Sequence, residues 1–282
     1  MKAQETSLML FLDRERERIK MAKSLQSAFV KYYKEKLEPF GFQKVKGRQP
    51  YFVRVVNDEI LHIFTFMGTA STQQGYKAFH LLCGVATVYR KEINFSVTPG
   101  HNSDWLVCLG DFYKRIETEY PVIKFPSMIF YYNDENLDAV LDETYNGAKI
   151  IISELDKVIN MDEALKYFFK YDTGDVSFLS LLEDDLCDEE SLYYAKKDFD
   201  YTKIEKIFED KRLDLKNSGR SDEEKRERHE GILAWEERVK ARRNKFLSND
   251  EDYEQGMKLL REHYNTNIDK LIGYGLNIKK IN

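Results

Sequence analysis

The stretch Leu37-Glu38-Pro39-Phe40-Gly41-Phe42 constrains the fold most, because a helical spacing of apolar residues stops there and a strand spacing begins. Upstream, Ile19, Ala22, Leu25, Phe29, Tyr33 and Leu37 recur every three or four positions, which lines one face of a helix, and charged residues fill the rest. Pro39 biases Glu38 away from the helical region and so predicts the end of the helix, and Gly41 has the freedom to turn the chain into a strand. Downstream, Tyr51, Val53 and Val55 alternate with Phe52, Arg54 and Val56, and residues 60–66 form a second run of β-branched and aromatic side chains. Asn57-Asp58-Glu59 supplies turn residues between them. A third run, roughly 78–90, is apolar on both of its alternating faces, which predicts a central strand.

The order of these pieces resembles a known family. A helix, then Leu37-x-Pro39-x-Gly41-Phe42-x-Lys44, an aromatic strand ending in Arg54, a strand with Phe64 and Phe66, and Phe79-x-x-x-x-Gly84-Val85 are similar to a widespread bacterial family catalogued only as a domain of unknown function. The resemblance covers the first half of the chain and implies a small α+β domain with an antiparallel sheet backed by helices. One departure is that Met67-Gly68-Thr69 stands where the family carries a polar Gln-Lys-Ser-like stretch. The family implies no established chemistry.

Residues 67–75, Met-Gly-Thr-Ala-Ser-Thr-Gln-Gln-Gly, are small and polar and predict a hairpin connection, of the kind that carries binding contacts on a rigid sheet. Residues 93–130 follow no single period. From Asn133 a helix returns, with Leu137, Leu141, Ala148, Ile152, Leu155 and Ile159 on one stripe and Asn133 or Asp134 as cap, which places a domain boundary near Asn160. The expected architecture is therefore α+β, with an N-terminal antiparallel sheet backed by helices over residues 1–160 and an all-α half over residues 161–282. In that half, Ser221-x-x-Glu224 and Ser248-x-x-Glu251 read as capping boxes that open two helices. The first carries Ile232, Trp235, Val239 and Phe246, and the second Tyr253, Met257, Leu260, Tyr264, Ile268 and Leu271. A short connection predicts an αα-hairpin, with Trp235 against Leu260 or Tyr264 and the second helix ended by Gly273 and Gly275.

Composition excludes some function classes. With 44 basic and 49 acidic residues the formal charge is -5, which exerts no global pull on nucleic acid or anionic membrane. The excess acid lies in the second half, chiefly Glu183, Asp184, Asp185, Asp188, Glu189 and Glu190. Cys83, Cys108 and Cys187 follow no metal-ligand spacing, and an odd count without a secretory leader predicts a reducing, cytoplasmic setting, with no membrane span in the short run Leu8-Met9-Leu10-Phe11-Leu12.

None of the phosphate-loop, nucleophile-elbow, zinc-protease or dinucleotide motifs occurs. The most enzyme-like set is His62 and His80 on neighbouring strands with Arg48 or Arg54 nearby, since an imidazole beside a guanidinium can move protons and bind anions. The bland alternative is that both histidines are packing residues. Acidic pairs such as Asp184 and Asp185 lack the order of a calcium loop, so no metal or cofactor is expected. Basic residues of 221–247, among them Arg238, Lys240, Arg242, Arg243 and Lys245, form a flank that could touch phosphates, but Glu224 with Arg228 and Glu236 with Lys240 pair within the helix. The sequence thus favours a non-catalytic protein-binding or inhibitor/immunity-type module using Asp184, Asp185, Glu189 and Glu190. The alternatives are a small-ligand domain or enzyme using Arg48, Arg54, His62 and His80, and a nucleic-acid contact through the basic flank.

Overall fold

In the computed structural model of the chain, which describes residues 25–73, 75–90, 92–99, 106–108, 129–161, 163, 164, 167 and 200–279, the switch after Leu37 is built on paired backbone bonds. Helix α1 (residues 25–37) tightens into one 3-10 turn, Glu38–Phe40, that contains Pro39, so the proline sits inside the exit and does not by itself end the helix. Gly41 ends it: at φ +81° its N–H meets the Glu38 carbonyl at 2.9 Å, while the Phe42 N–H meets the Leu37 carbonyl at 3.3 Å. These are the two bonds of a glycine-closed helix end, and Leu37 and Phe42 make its hydrophobic contact within one core.

The strands that follow are β1 (Gln43–Lys44), β2 (Phe52–Val56), β3 (Ile60–Gln73), β4 (Tyr76–Thr87), β5 (Leu106–Cys108) and β6 (Phe130–Tyr132). They form one antiparallel sheet in the order β1-β2-β3-β4-β5, with β6 also on β4. As the apolar faces of the third run predict, β4 is interior. Asn57 and Asp58 take φ of 52° and 58°, the left-handed pair that a primed hairpin turn between β2 and β3 needs. The expected loop at 67–75 is corrected: Met67, Gly68 and Thr69 continue β3 against His80, Phe79 and Ala78, and β3 runs on to Gln73, which pairs with Tyr76. Gly68 and Gly75 are exposed and Met67 and Thr69 half-buried, and threonine favours strand geometry even in so polar a stretch.

Each sheet face carries a core. On the first, Phe52, Phe64, Phe66, Phe79 and Leu81 meet Leu25, Phe29, Tyr33 and Leu37 of α1 and Leu141, Ala148, Ile152 and Leu155 of α2 (Leu137–Leu155). Ile159, placed on the same stripe from the sequence, lies past the helix end and is exposed. The second face, with Val53, Leu61, Ile63, Leu82 and Ala86, is covered by Tyr264, Ile268, Leu271, Leu276 and Ile278. Those residues belong to the last helix and its tail, so a boundary at residue 160 does not separate the cores. The architecture is α+β, with helices on both faces of an antiparallel sheet.

Three more helices are described: α3 (Thr202–Asn217), α4 (Asp222–Ser248) and α5 (Asp250–Gly273). Ser221 and Glu224 form the predicted capping box of α4. The second expected box is corrected, because α4 runs through Ser248 and Asn249 is the only break, its side chain accepting from the Glu251 N–H at 3.0 Å. Trp235 also has a different partner from the one expected. Its ring lies 4.2 Å from Phe208 of α3, and Arg212 of α3 pairs with Glu236, so this face of α4 packs on α3. Tyr264 instead lies on the sheet side, 5.2 Å from the Tyr89 ring.

The end of α5 repeats the device at Gly41. Gly275, at φ +84°, donates to Ile272 at 2.9 Å, and Leu276 donates to Leu271 at 3.0 Å, whereas Gly273 is simply the last helical residue. A Cβ on Gly275 would lie 2.8 Å from Cε of Lys46, a flexible side-chain end that can move aside. The cost of Gly275→Ala is therefore the left-handed backbone itself, about 1–2 kcal/mol. The urea midpoint should fall accordingly, and an unchanged midpoint would contradict this geometry.

Candidate functional site

Of the four residues expected to gather on the sheet, only Arg54 and His62 meet. They are cross-strand partners in the β2/β3 register, and both face the first core. His80 pairs with Met67, five positions from Val85, the β4 partner of His62, and side chains alternate along a strand, so the two histidines lie on opposite faces. Arg48 is exposed in the connection between β1 and β2, where its carbonyl accepts from the Gln26 side chain. The proposed relay of His62 and His80 is therefore not assembled.

Arg54 and His62 are engaged by the fold on every side. Arg54 donates from Nε (3.1 Å) and Nη2 (2.8 Å) to His62 Nδ1, from Nη1 to the Phe40 carbonyl at 3.1 Å, and from Nη2 to Asp156 at 2.6 Å. Its guanidinium also stands 4.9 Å from the Phe42 ring centre. Because a guanidinium can only donate, His62 Nδ1 accepts, and Nε2 carries the proton that it donates to the Val158 carbonyl at 2.8 Å. The imidazole is thus neutral, in one fixed tautomer, with no solvent exposure.

Burial, and then the Arg54 charge, push the His62 pKa down to about 4. A histidine that binds its proton less tightly folded than unfolded stabilises the fold fully above its unfolded value of about 6.5, and that stabilisation is lost as pH falls toward about 4. The span corresponds to about 3 kcal/mol. A neutral ring with both nitrogens occupied has no free site for substrate proton transfer, so the cluster works as a fastening of β2 and β3 to the exits of α1 and α2.

The neighbouring turn is held from both sides. Asn57 donates to the Ile159 carbonyl at 2.7 Å, while Asp58 accepts from the Lys279 N–H at 3.0 Å and from the Tyr264 hydroxyl at 3.2 Å. Deeper in the second core, Asn267 is fully buried, and its amide donates to the Val88 carbonyl (2.9 Å) and the Arg90 carbonyl and accepts from the Ile93 N–H (3.3 Å). Sequence reasoning missed Asn267. Its signal was an amide three residues after Tyr264 and four before Leu271, on the apolar stripe itself.

Two surface hollows lie elsewhere. One of about 170 Å³ is lined by Gly41, Gln43, Val53, Val55 and Asn277, and a wide groove of about 580 Å³ runs along the start of α5 past Tyr253, Met257 and Arg261. Among the described residues no three His, Cys, Asp or Glu side chains gather as a metal site, and no helix is long and apolar enough to cross a membrane. Asp184, Asp185, Glu189 and Glu190 lie outside the described residues. On the basic flank, Lys240 pairs with Glu236 at 2.7 Å as expected, but Glu224 turns back to Ser221 rather than to Arg228. The Arg243 guanidinium stacks 4.6 Å from the Tyr201 ring centre.

No family model, curated protein or solved structure matches this chain. The family resemblance carried by residues 37–85 is thereby neither supported nor contradicted.

Proposed function

We propose that this chain is a protein-binding module of the inhibitor or immunity type, without chemistry of its own, whose acidic connector and helical half engage a basic partner protein. The observation that carries this reading is the run 183–190, in which six of eight residues are acidic and none is basic. Such a concentration of one sign steers a complementary surface into contact and sets register more than raw affinity. The internal use of Arg54 and His62 supports the same reading, since the most enzyme-like pair is engaged with its own backbone and side chains.

The test compares wild type with the variant in which Asp184, Asp185, Glu189 and Glu190 are all serine, each used to recover partner from source-cell extract at low and high salt. Wild type should retain its partner at low salt and release it at high salt. The variant should recover about fourfold to several-hundredfold less, at roughly 0.2–1 kcal/mol for each of the charges removed. Equal recovery from both proteins removes the acidic run as a contact surface.

A further inference from the structure

We propose that His62 is an acid-released clasp: a proton on Nδ1 displaces the Arg54 guanidinium and frees the exits of α1 and α2 from the sheet while the second core stays closed. The geometry carries it. Arg54 joins three chain segments through one guanidinium, to His62 on β3, Phe40 after α1 and Asp156 after α2. Val158, two residues past Asp156, hangs on the other ring nitrogen. Nδ1 can accept two N–H groups only while it lacks a proton. Once protonated it presents a third N–H to them, and two cations then face each other in a buried site.

The charged groups that face the ring are Arg54 from β2 and Asp156 from the segment after α2. From β4 the cross-strand neighbour is Val85, and the α1 exit contributes the Phe40 carbonyl. Asp156 opposes the release but is half-exposed, so water screens much of its pull on a buried imidazolium. It also gives the displaced guanidinium a place to go. The second core holds no member of this set, since Tyr264, Ile268, Leu271 and the tail pack on the opposite face. Release is therefore local.

Hydrogen exchange of the full chain at pH 7, 6, 5 and 4.5, corrected for intrinsic exchange rates, tests the clasp. The opening constants of residues 38–44 and 154–160 should rise about tenfold per pH unit below about 6. Those of residues 264–276 should stay level. His62→Gln keeps an acceptor and a donor but does not titrate, so its exchange in both segments should be flat with pH. Ring nitrogen shifts of His62 in the wild type, followed below pH 4.5, give a reading independent of any variant: the Nε2–H form should stay neutral through pH 5 and convert as pH nears about 4, at the low-pH end of the rise in opening. The clasp is overturned if protection in 38–44 and 154–160 is flat with pH, or falls in step with 264–276. Conversion of the ring without that loss, or a His62→Gln protein that keeps the wild-type slope, overturns it equally.

Discussion

Asn267→Leu should lower the free energy of unfolding by about 3–5 kcal/mol, because it strands three buried backbone groups at about 1–3 kcal/mol each with partial relaxation. The amide bridges the carbonyls of Val88 and Arg90 and the N–H of Ile93, just past the point where the chain leaves β4. Leucine fills the space but offers no donor or acceptor. Asp should be no better, since a carboxylate would face two carbonyl oxygens. Asn265→Leu, two residues away and exposed, is the matched control and should stay within about 0.5 kcal/mol. Urea unfolding at neutral pH measures both, and a loss below about 1 kcal/mol for Asn267→Leu would mean that water or a shifted backbone takes over these bonds.

Trp235→Ala should cost about 3–5 kcal/mol and should loosen α3 and α4 before the sheet. The indole is nearly buried, packs edge-on against Phe208, and carries the Lys211 ammonium 5.6 Å from its ring centre. Phe208→Ala should also destabilise, and the double variant should lose less than the sum, because the two rings pack on each other. Arg243 would be an unsuitable neutral control, given its stacking on Tyr201, whereas Arg238 is exposed and its replacement by alanine should leave stability unchanged within about 0.5 kcal/mol. Far-ultraviolet dichroism with denaturant separates helix loss from sheet loss. Identical unfolding curves for Trp235→Ala and wild type would mean that the α3–α4 contact contributes nothing.

Much of the local structure was legible in the sequence because its causes are local. The stripe of α1 from Leu25 to Leu37, the two apolar faces of β4, the turn at Asn57-Asp58 and the Ser221 capping box each depend on residues a few positions apart, and each is present, while Ile19 and Ala22 of that stripe lie outside the described residues. Even the end of α1 was placed at the right residues, though Gly41 and its two backbone bonds do what was assigned to Pro39. The last half of α5 kept its predicted stripe for the same reason.

What needed the tertiary structure is whatever depends on register or on distant pairing. Reading residues 67–75 as a loop left the β3/β4 register open, and with it the parity that puts His62 and His80 on opposite faces. Helix periodicity showed that Trp235 faces inward but not toward which helix, since an apolar stripe is satisfied by any apolar neighbour. Asn267 and Val88 are 179 residues apart, and nothing local to either one announces the other. The sequence by itself determined where elements start, stop and turn an apolar face, because sterics and hydrogen bonding act over a few residues. Only the assembled fold decided which polar groups, once buried, had to find one another.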